Sequence, residues 1–289
     1  MTTGQIRDLI EMGGSLKSLA QSYSELASLR LRRTRLEVEN NKRFFNELTR
    51  VYALVNRLAV AKKVKLALKP KARISILLTS NYRFYGNINN ALTRYFIIQS
   101  AKFASDKVVI GKTGQDFLKA IRYFHPFESI RFKNDLPDDA ELSKLGQMIN
   151  RYNQVLIFYS EFKSVLVQTP TIKDITQTQT DSLKGFNKPQ TDPLAGPGAD
   201  AEFFQQTFIS EPEIQKMADF FDTQIKVLLL SQTILESELA RTASRLISMD
   251  QAQTNANDFI KEQEKNLALI HRSRINYEIL QTNAALRYA

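Results

Sequence analysis

"EIQKMADFFDTQIKVLLLSQTILESELARTASRLISMDQAQTNANDFIKEQEKNLALIHRSRINYEILQTNAA" occupies residues 213–285 and contains neither proline nor glycine. As one helix it would reach about 110 Å, at about 1.5 Å per residue. Pro212 stands just ahead of it, where a first-turn proline is tolerated, and sets its start. No single core in a chain of 289 residues can bury such a helix along its whole length. It therefore requires a partner helix. Apolar residues at spacings of three and four mark a seam through Ile214, Met217, Phe221, Ile225, Leu228, Leu235, Leu239, Leu246, Met249, Ala256, Phe259 and Ile260. Ala240, Ala243, Ala252 and Ala256 allow close approach along it.

The other terminus supplies the partner. From Gln5 to about Ala61 there is no proline, and Ile6, Leu9, Ile10, Leu16, Leu19, Tyr23, Leu26, Leu48, Val51, Tyr52 and Val55 recur at helical spacing. Gly13 and Gly14 interrupt that pattern and predict a bend or weak turn, each costing about 1 kcal/mol relative to alanine. The expected fold is a long antiparallel two-helix coiled coil, with the tip from roughly Leu267 to Ala289 extending beyond the shorter helix. That tip needs another protein to cover its apolar face.

Between the helices lies a mixed segment. "RISILLTS" (73–80), "KVVIG" (107–111), "QVLIFYS" (154–160) and "KSVLVQT" (163–169) read as strands, the last two as a hairpin. Helical patterns at 90–104, 115–124 and 138–152 alternate with them, and Asp138 with Glu141 marks a helix start. The alternation predicts an inserted α/β, Rossmann-like domain with a mostly parallel sheet. Residues 173–201 form a polar, Pro/Gly-rich loop, and "EFFQQTFIS" (202–210) reads as an edge strand. The organisation expected is an N-terminal helix and basic connector (1–70), a central α/β domain (71–210) and a C-terminal helix (211–289).

Composition narrows the function. Cysteine is absent, so disulfides, thiolate nucleophiles and cysteine-based zinc sites are excluded. Only two histidines occur, His125 and His271. No stretch approaches the roughly 20 apolar residues of a membrane span. The net charge of +10 is concentrated between Leu29 and Arg73, where fourteen Lys/Arg face three glutamates. Such a stripe is a solvated helix face or attracts a polyanion: an acidic partner, anionic lipid or nucleic acid. Few aromatics interleave with it, which argues against nucleic acid.

"KVVIGKTGQDFLKA" (107–120) imitates a phosphate loop, with Gly-Lys-Thr after an apolar run. A phosphate loop needs a further glycine five positions before Gly111, and that residue is Asp106. Lys112 and Thr113 therefore read as the turn out of a strand. The carboxylates Asp138, Asp139 and Glu141 are explained by the helix start, and His125 in "YFHPFES" reads as a loop or packing residue. No acid–base, nucleophile or metal set assembles, so no catalytic, cofactor or metal site is expected.

Several segments resemble the gamma subunit of F-type ATP synthases. "ASRLISMDQAQTNANDFIKE" (243–262) is similar to that family's Ala-x-Arg-Met-x-Ala-Met-x-x-Ala-Thr-x-Asn pattern through Arg245, Leu246, Met249, Ala252 and Asn255. "TPTI" (169–172) stands for the family's Val-Pro-Thr-Ile. "LLTSNYRFYGNIN" (77–89) stands for its Ser-Thr-Asp-x-Gly-Leu-Cys-Gly-x-x-Asn, keeping Gly86 and Asn89. Asn81 replaces the family aspartate, and Phe84-Tyr85 replace Leu-Cys. The motifs near Ser18–Tyr23 and His271–Ile279 also depart from the family, which fits a divergent lineage or a specialised paralog.

The resemblance implies a non-catalytic central-stalk rotor coupling rotation to ATP synthesis or hydrolysis and proton flow. It implies one copy per complex, with the alpha and beta subunits of the ATPase ring, an epsilon-type stalk subunit and a membrane c-ring as partners. It also implies peripheral attachment at the cytoplasmic face of a bacterial plasma membrane. Contacts with the ring are expected at Lys17, Leu19, Tyr23, Arg32, Arg33, Arg35, Arg245, Met249, His271, Arg272, Arg274 and Glu278. Contacts at the foot are expected at Asn81, Arg83, Gly86 and Asn89. The alternatives are a shaft in a hydrolytic machine that makes no ATP, or a basic coiled-coil scaffold that binds nucleic acid.

Overall fold

A computed structural model of the chain describes residues 2–61, 71–176 and 214–288. Both termini are single helices: α1 spans Thr3–Ala61 and the final helix, α5, spans Ile214–Tyr288. α1 runs through Gly13 and Gly14 as one helix, and a side chain at Gly13 would collide with Ile260. Between the long helices run β1 (Lys71–Leu78), α2 (Ile88–Ser100), β2 (Asp106–Ile110), α3 (Lys112–Ala120), β3 (Glu128–Ile130), α4 (Asp139–Ile149), β4 (Tyr152–Phe162) and β5 (Gln168–Asp174).

The chain divides into two compact units. The first combines Met1–Leu31 with Thr242–Ala289. Its helices run antiparallel: Gly13 meets Phe259 and Ile260, while Tyr23, further along α1, meets Arg245, further back along α5. The buried face of α1 is Ile6, Gly13, Ala20 and Ala27, one residue every seven. A strict seven-residue repeat keeps one seam facing its partner in a left-handed supercoil. Small residues at that seam bring the backbones close. This corrects the expected leucine seam: Leu16, Leu19 and Leu26 are 52–62% exposed and lie off the closed face. Along α5 the residues from His271 to Ala284 are all exposed, as expected for a tip that outruns its partner.

The second unit is Arg32–Arg241. Its five-stranded sheet has the order β3-β2-β1-β4-β5. The first four strands pair in parallel and β5 joins antiparallel to β4. Period-two alternation sends side chains to both faces, and both are covered. Ile74, Ile76, Val108, Val155 and Ile157 pack with Leu145 and Ile149 of α4, Tyr52 of α1, and Ile225, Leu229, Leu230 and Ile234 of α5. On the opposite face Leu77, Val109, Leu156 and Phe158 pack with Leu92 and Phe96 of α2 and Leu118 of α3.

The structure revises some element boundaries. The segment 163–167 is the hairpin turn, closed by Val167 N–H donating to Ser164 O, and the strand begins only at Gln168. The short β3 was not foreseen; "ESI" has no apolar run to announce it. The edge strand expected at 202–210, and the loop at 173–201 beyond residue 176, lie outside the described residues.

Candidate functional site

In parallel α/β sheets, ligands settle at the carboxyl ends of the strands where the strand order reverses. Here that point lies between β1 and β4, and it is filled by protein. The loop after β1 turns sharply: Phe84 (φ 66°) and Gly86 (φ 64°) are both left-handed, and Tyr85 between them points inward. Tyr85 is 1% exposed and packs with Ile88, with Phe162 at the end of β4 and with Ala240 of α5.

The neighbouring phosphate-loop look-alike is filled in the same way. Gly111 takes φ 96°, and a Cβ there would lie 2.3 Å from Thr79 O. Lys112 and Thr113, expected as a turn, instead open α3. The first N–H groups of that helix are the donors a phosphate would use, but each already has a partner. Lys112 N–H donates to Asn81 Oδ1 (3.2 Å), Thr113 N–H to Ser80 O (3.0 Å) and Gly114 N–H to Thr79 Oγ1 (3.0 Å).

Asn81 is the hub of this edge. Its Nδ2 donates to Phe132 O and Asn134 O, both at 2.9 Å, while its backbone N–H donates to Asp135 Oδ1 at 2.7 Å. Asn89 Nδ2 donates to Ser80 Oγ (2.8 Å), which in turn donates to Tyr82 O (2.7 Å). Asn81, Arg83 and Gly86 lie in this loop, with Arg83 exposed, and Asn89 stands in the first turn of α2.

Behind Tyr85 lies a group of buried charges absent from the sequence expectations. Tyr85 Oη donates to Asp135 Oδ2. Arg241, 3% exposed, donates from Nη2 to Glu238 Oε2 (2.8 Å) and from Nη1 to Ser237 Oγ (3.0 Å). Burial, then the charges of Glu238 and Asp135, push the Tyr85 hydroxyl far above its ordinary range, so it remains a donor. Burial alone would ease the proton off Arg241, but Glu238 and Asp135 outweigh it and hold the guanidinium charged. A second polar cluster joins Tyr159, Lys173 and Glu236, where burial raises Glu236 and lowers Lys173.

The remaining expected contacts lie along the helices. In the first unit the Arg245 guanidinium stands over the Tyr23 ring, 5.9 Å from its centroid. Leu19 is exposed, and Lys17 and Met249 are half-buried. His271 and Arg272 are exposed at the tip, where Arg274 Nε pairs with Glu278 Oε1 at 2.9 Å. In the second unit Arg32 is exposed, while Arg33 pairs with Glu37 (3.1 Å) and Arg35 with Glu39 (3.4 Å), each one turn along α1.

At the amino ends of β1, β2 and β4 a groove of about 1010 Å³ is lined by Arg73, Phe103, Asp106, His125 and Tyr152. Its polar groups bind one another: Arg73 to Gln154 (2.6 Å) and Tyr152 to Asp106 (2.7 Å). His125 packs edge-on against Tyr123. Among the described residues no group of side chains could hold a metal ion, and no helix is long and apolar enough to cross a membrane.

Paired terminal helices make one unit, and in the α/β unit the crevice at the strand ends is filled by the chain's own Tyr85. A family model described as ATP synthase matches residues 2–282, and the chain belongs to that family. Its curated relatives are ATP synthase gamma chains. That of Clostridium acetobutylicum is 21% identical over 277 residues, covering 92% of this chain and 90% of the relative. That of Roseiflexus castenholzii is 24% identical over 283 residues, covering 93% and 90%. The fold is similar to the central stalk and c-ring structure of the Tetrahymena thermophila mitochondrial ATP synthase (TM-score 0.58, 16% identity, 81% of this chain and 99% of that one). It is also similar to a chain of the Euglena gracilis mitochondrial ATP synthase (TM-score 0.52, 14% identity, 90% and 94%).

Proposed function

We propose that this chain is the rotor shaft of an F-type ATP synthase, a non-catalytic central-stalk subunit that couples rotation to chemistry on its neighbours. The observation that carries this reading is the second apolar stripe of α1. One stripe is closed against α5, yet Met12, Leu16, Leu19, Leu26 and Leu29 remain 52–65% exposed along another face. A stripe of this length is a protein-binding surface. A sleeve of alpha and beta subunits, which hold the active sites, covers it and the exposed tip around Arg272, Arg274 and Glu278. Two unlike helices present a different face to each of three catalytic sites, so the orientation of the shaft and the affinity of each site become coupled free energies.

The α/β unit faces an epsilon-type subunit and a membrane c-ring, and one copy serves each complex, peripherally bound at the cytoplasmic face of a bacterial plasma membrane. Asn81, Arg83, Gly86 and Asn89 serve that foot. A hydrolytic machine that makes no ATP is the second reading, motivated by Asn81 and Tyr85 where the family pattern has aspartate and cysteine.

Native mass spectrometry of the tagged protein from its own cells tests both. One copy retained with three pairs of ATPase subunits supports the shaft, and a retained c-ring favours the synthase. Recovery alone or with nucleic acid overturns the rotor reading in favour of a basic scaffold.

A further inference from the structure

We propose that the groove at the amino ends of β1, β2 and β4 binds an organic phosphate carrying an aromatic ring, such as a nucleoside diphosphate, held by Arg73 and Lys107. The site does not depend on the rotor reading. Strand register sorts the charges of the groove onto two faces. Arg73 stands opposite Gln154 and Ser75 opposite Lys107, so period-two alternation places Arg73, Lys107 and Gln154 on the face covered by α2. Asp106 stands opposite Ile74 and Glu128 opposite Val108, so both carboxylates belong to the other face. The α2 side of the groove is therefore basic. Its remaining walls there are aromatic: Phe103, Phe127 and His125, which packs on Tyr123.

Arg73 is held ready for an anion. Its Nε donates to Gln154 Oε1 (2.6 Å), and Gln154 Nε2 donates in turn to Asp174 Oδ2 (2.5 Å). The guanidinium lies over the Phe103 ring, 5.1 Å from its centroid. These contacts fix the guanidinium while using only its Nε–H. Among the described residues no carboxylate pairs with Arg73, and Asp106 on the other face takes the Tyr152 hydroxyl (2.7 Å). A half-buried guanidinium with both Nη groups open is the fork that grips two oxygens of a phosphate. Lys107, half-buried on the neighbouring strand, adds a second positive charge. The aromatic walls offer a ring a surface to stack on. At about 1010 Å³ the groove is far larger than a lone ion needs and stands at the top of the range of small-molecule sites, roughly 300–1,000 Å³.

Isothermal titration calorimetry of the full chain with ADP, pyrophosphate and adenosine tests the site. ADP should bind. Pyrophosphate should bind at least about tenfold more weakly, because it has no base to stack. Adenosine should be weaker by a similar factor or more, because it brings no charged oxygens to Arg73. Arg73→Met and Lys107→Gln should each weaken ADP by about tenfold or more. If Arg73→Met does not fold, Lys107→Gln decides, because it keeps the length and polarity of a half-buried side chain. No heat from ADP at millimolar concentration overturns the site. Wild-type ADP affinity in the variants that fold overturns it too, since the ligand would then sit elsewhere. Pyrophosphate binding as tightly as ADP overturns the organic ligand and leaves a plain anion site. None of these outcomes bears on the rotor reading, which the composition of the native complex decides.

Discussion

Ile260 of α5 occupies the space where a side chain on Gly13 of α1 would begin. A Cβ at Gly13 would lie 2.8 Å from Ile260 Cγ1 and 3.3 Å from Phe259 Cδ1, whereas one at Gly14 would meet nothing within 4 Å. Two adjacent glycines therefore have opposite substitution chemistry. Gly14→Ala should stabilise the chain by up to about 1 kcal/mol through helix propensity. Gly13→Val should destabilise it by about 1–3 kcal/mol through overpacking. Urea denaturation followed by circular dichroism reads both, and equal effects would refute the packing role.

The stacking of Arg245 on Tyr23 is a directional contact between the helices of the first unit. Tyr23→Leu and Arg245→Met should show a coupling of about 0.5–1 kcal/mol in a double-mutant cycle. A coupling near zero would mean that the two side chains merely neighbour one another.

Asn81 makes a counter-intuitive prediction. Restoring the aspartate of the family pattern places a carboxylate oxygen against the carbonyls of Phe132 and Asn134 that Asn81 Nδ2 now serves. Asn81→Asp should therefore cost about 0.5–1.5 kcal/mol, because two partly exposed carbonyls lose their donor and meet a carboxylate instead. Thermal unfolding checks it, and an unchanged or raised midpoint contradicts the hub.

The pH dependence follows from Glu236 and Lys173. Burial raises Glu236 above its ordinary value of 4.5, so its contribution to stability is complete below that pH and declines as pH rises through the folded-state value. Burial lowers Lys173 below 10.5, so its contribution is full above that pH and is lost as pH falls through the folded-state value. Urea midpoints measured upward from pH 4.5 should fall less steeply in Glu236→Gln than in wild type. Parallel curves would remove Glu236 from the account.

Arg33 and Arg35 pair only with exposed glutamates, contacts worth about 0.3–0.5 kcal/mol each. Reversing Arg32, Arg33 and Arg35 to glutamate should leave folding nearly unchanged but lower ATPase-driven rotation. High salt should weaken wild-type rotation in the same direction, since charges more than about 8 Å apart are screened at physiological ionic strength. Unchanged torque in the triple variant rules out an electrostatic bearing.

The long helices were legible because absence of proline and glycine over 213–285 leaves one conformation open. The central sheet was legible through its β-branched runs. The closed seam was not: leucines attract the eye, while Gly13, Ala20 and Ala27 carry little hydropathy and reveal themselves only through their spacing of seven. The buried charges were missed for a related reason. Glu238 and Arg241 stand one turn apart, the spacing of common surface pairs, and nothing in the sequence marks them as buried. What was visible was local, a Ser-Glu-Leu-Ala-Arg run in a helix that also buries Lys226, Thr233 and Thr242. Asn81 was located by resemblance, but its hydrogen-bonding role depends on residues 132–135, distant in sequence.

The open leucine stripe also has a consequence for the life of the molecule before it reaches its complex. A freshly made chain carries an adhesive strip from Met12 to Leu29, along with an uncovered tip. Surfaces of that kind drive mutual sticking of chains at cellular concentrations. Surplus copies are therefore a burden on quality control, and the cell gains by keeping synthesis of this subunit in step with that of the partners that sheathe it.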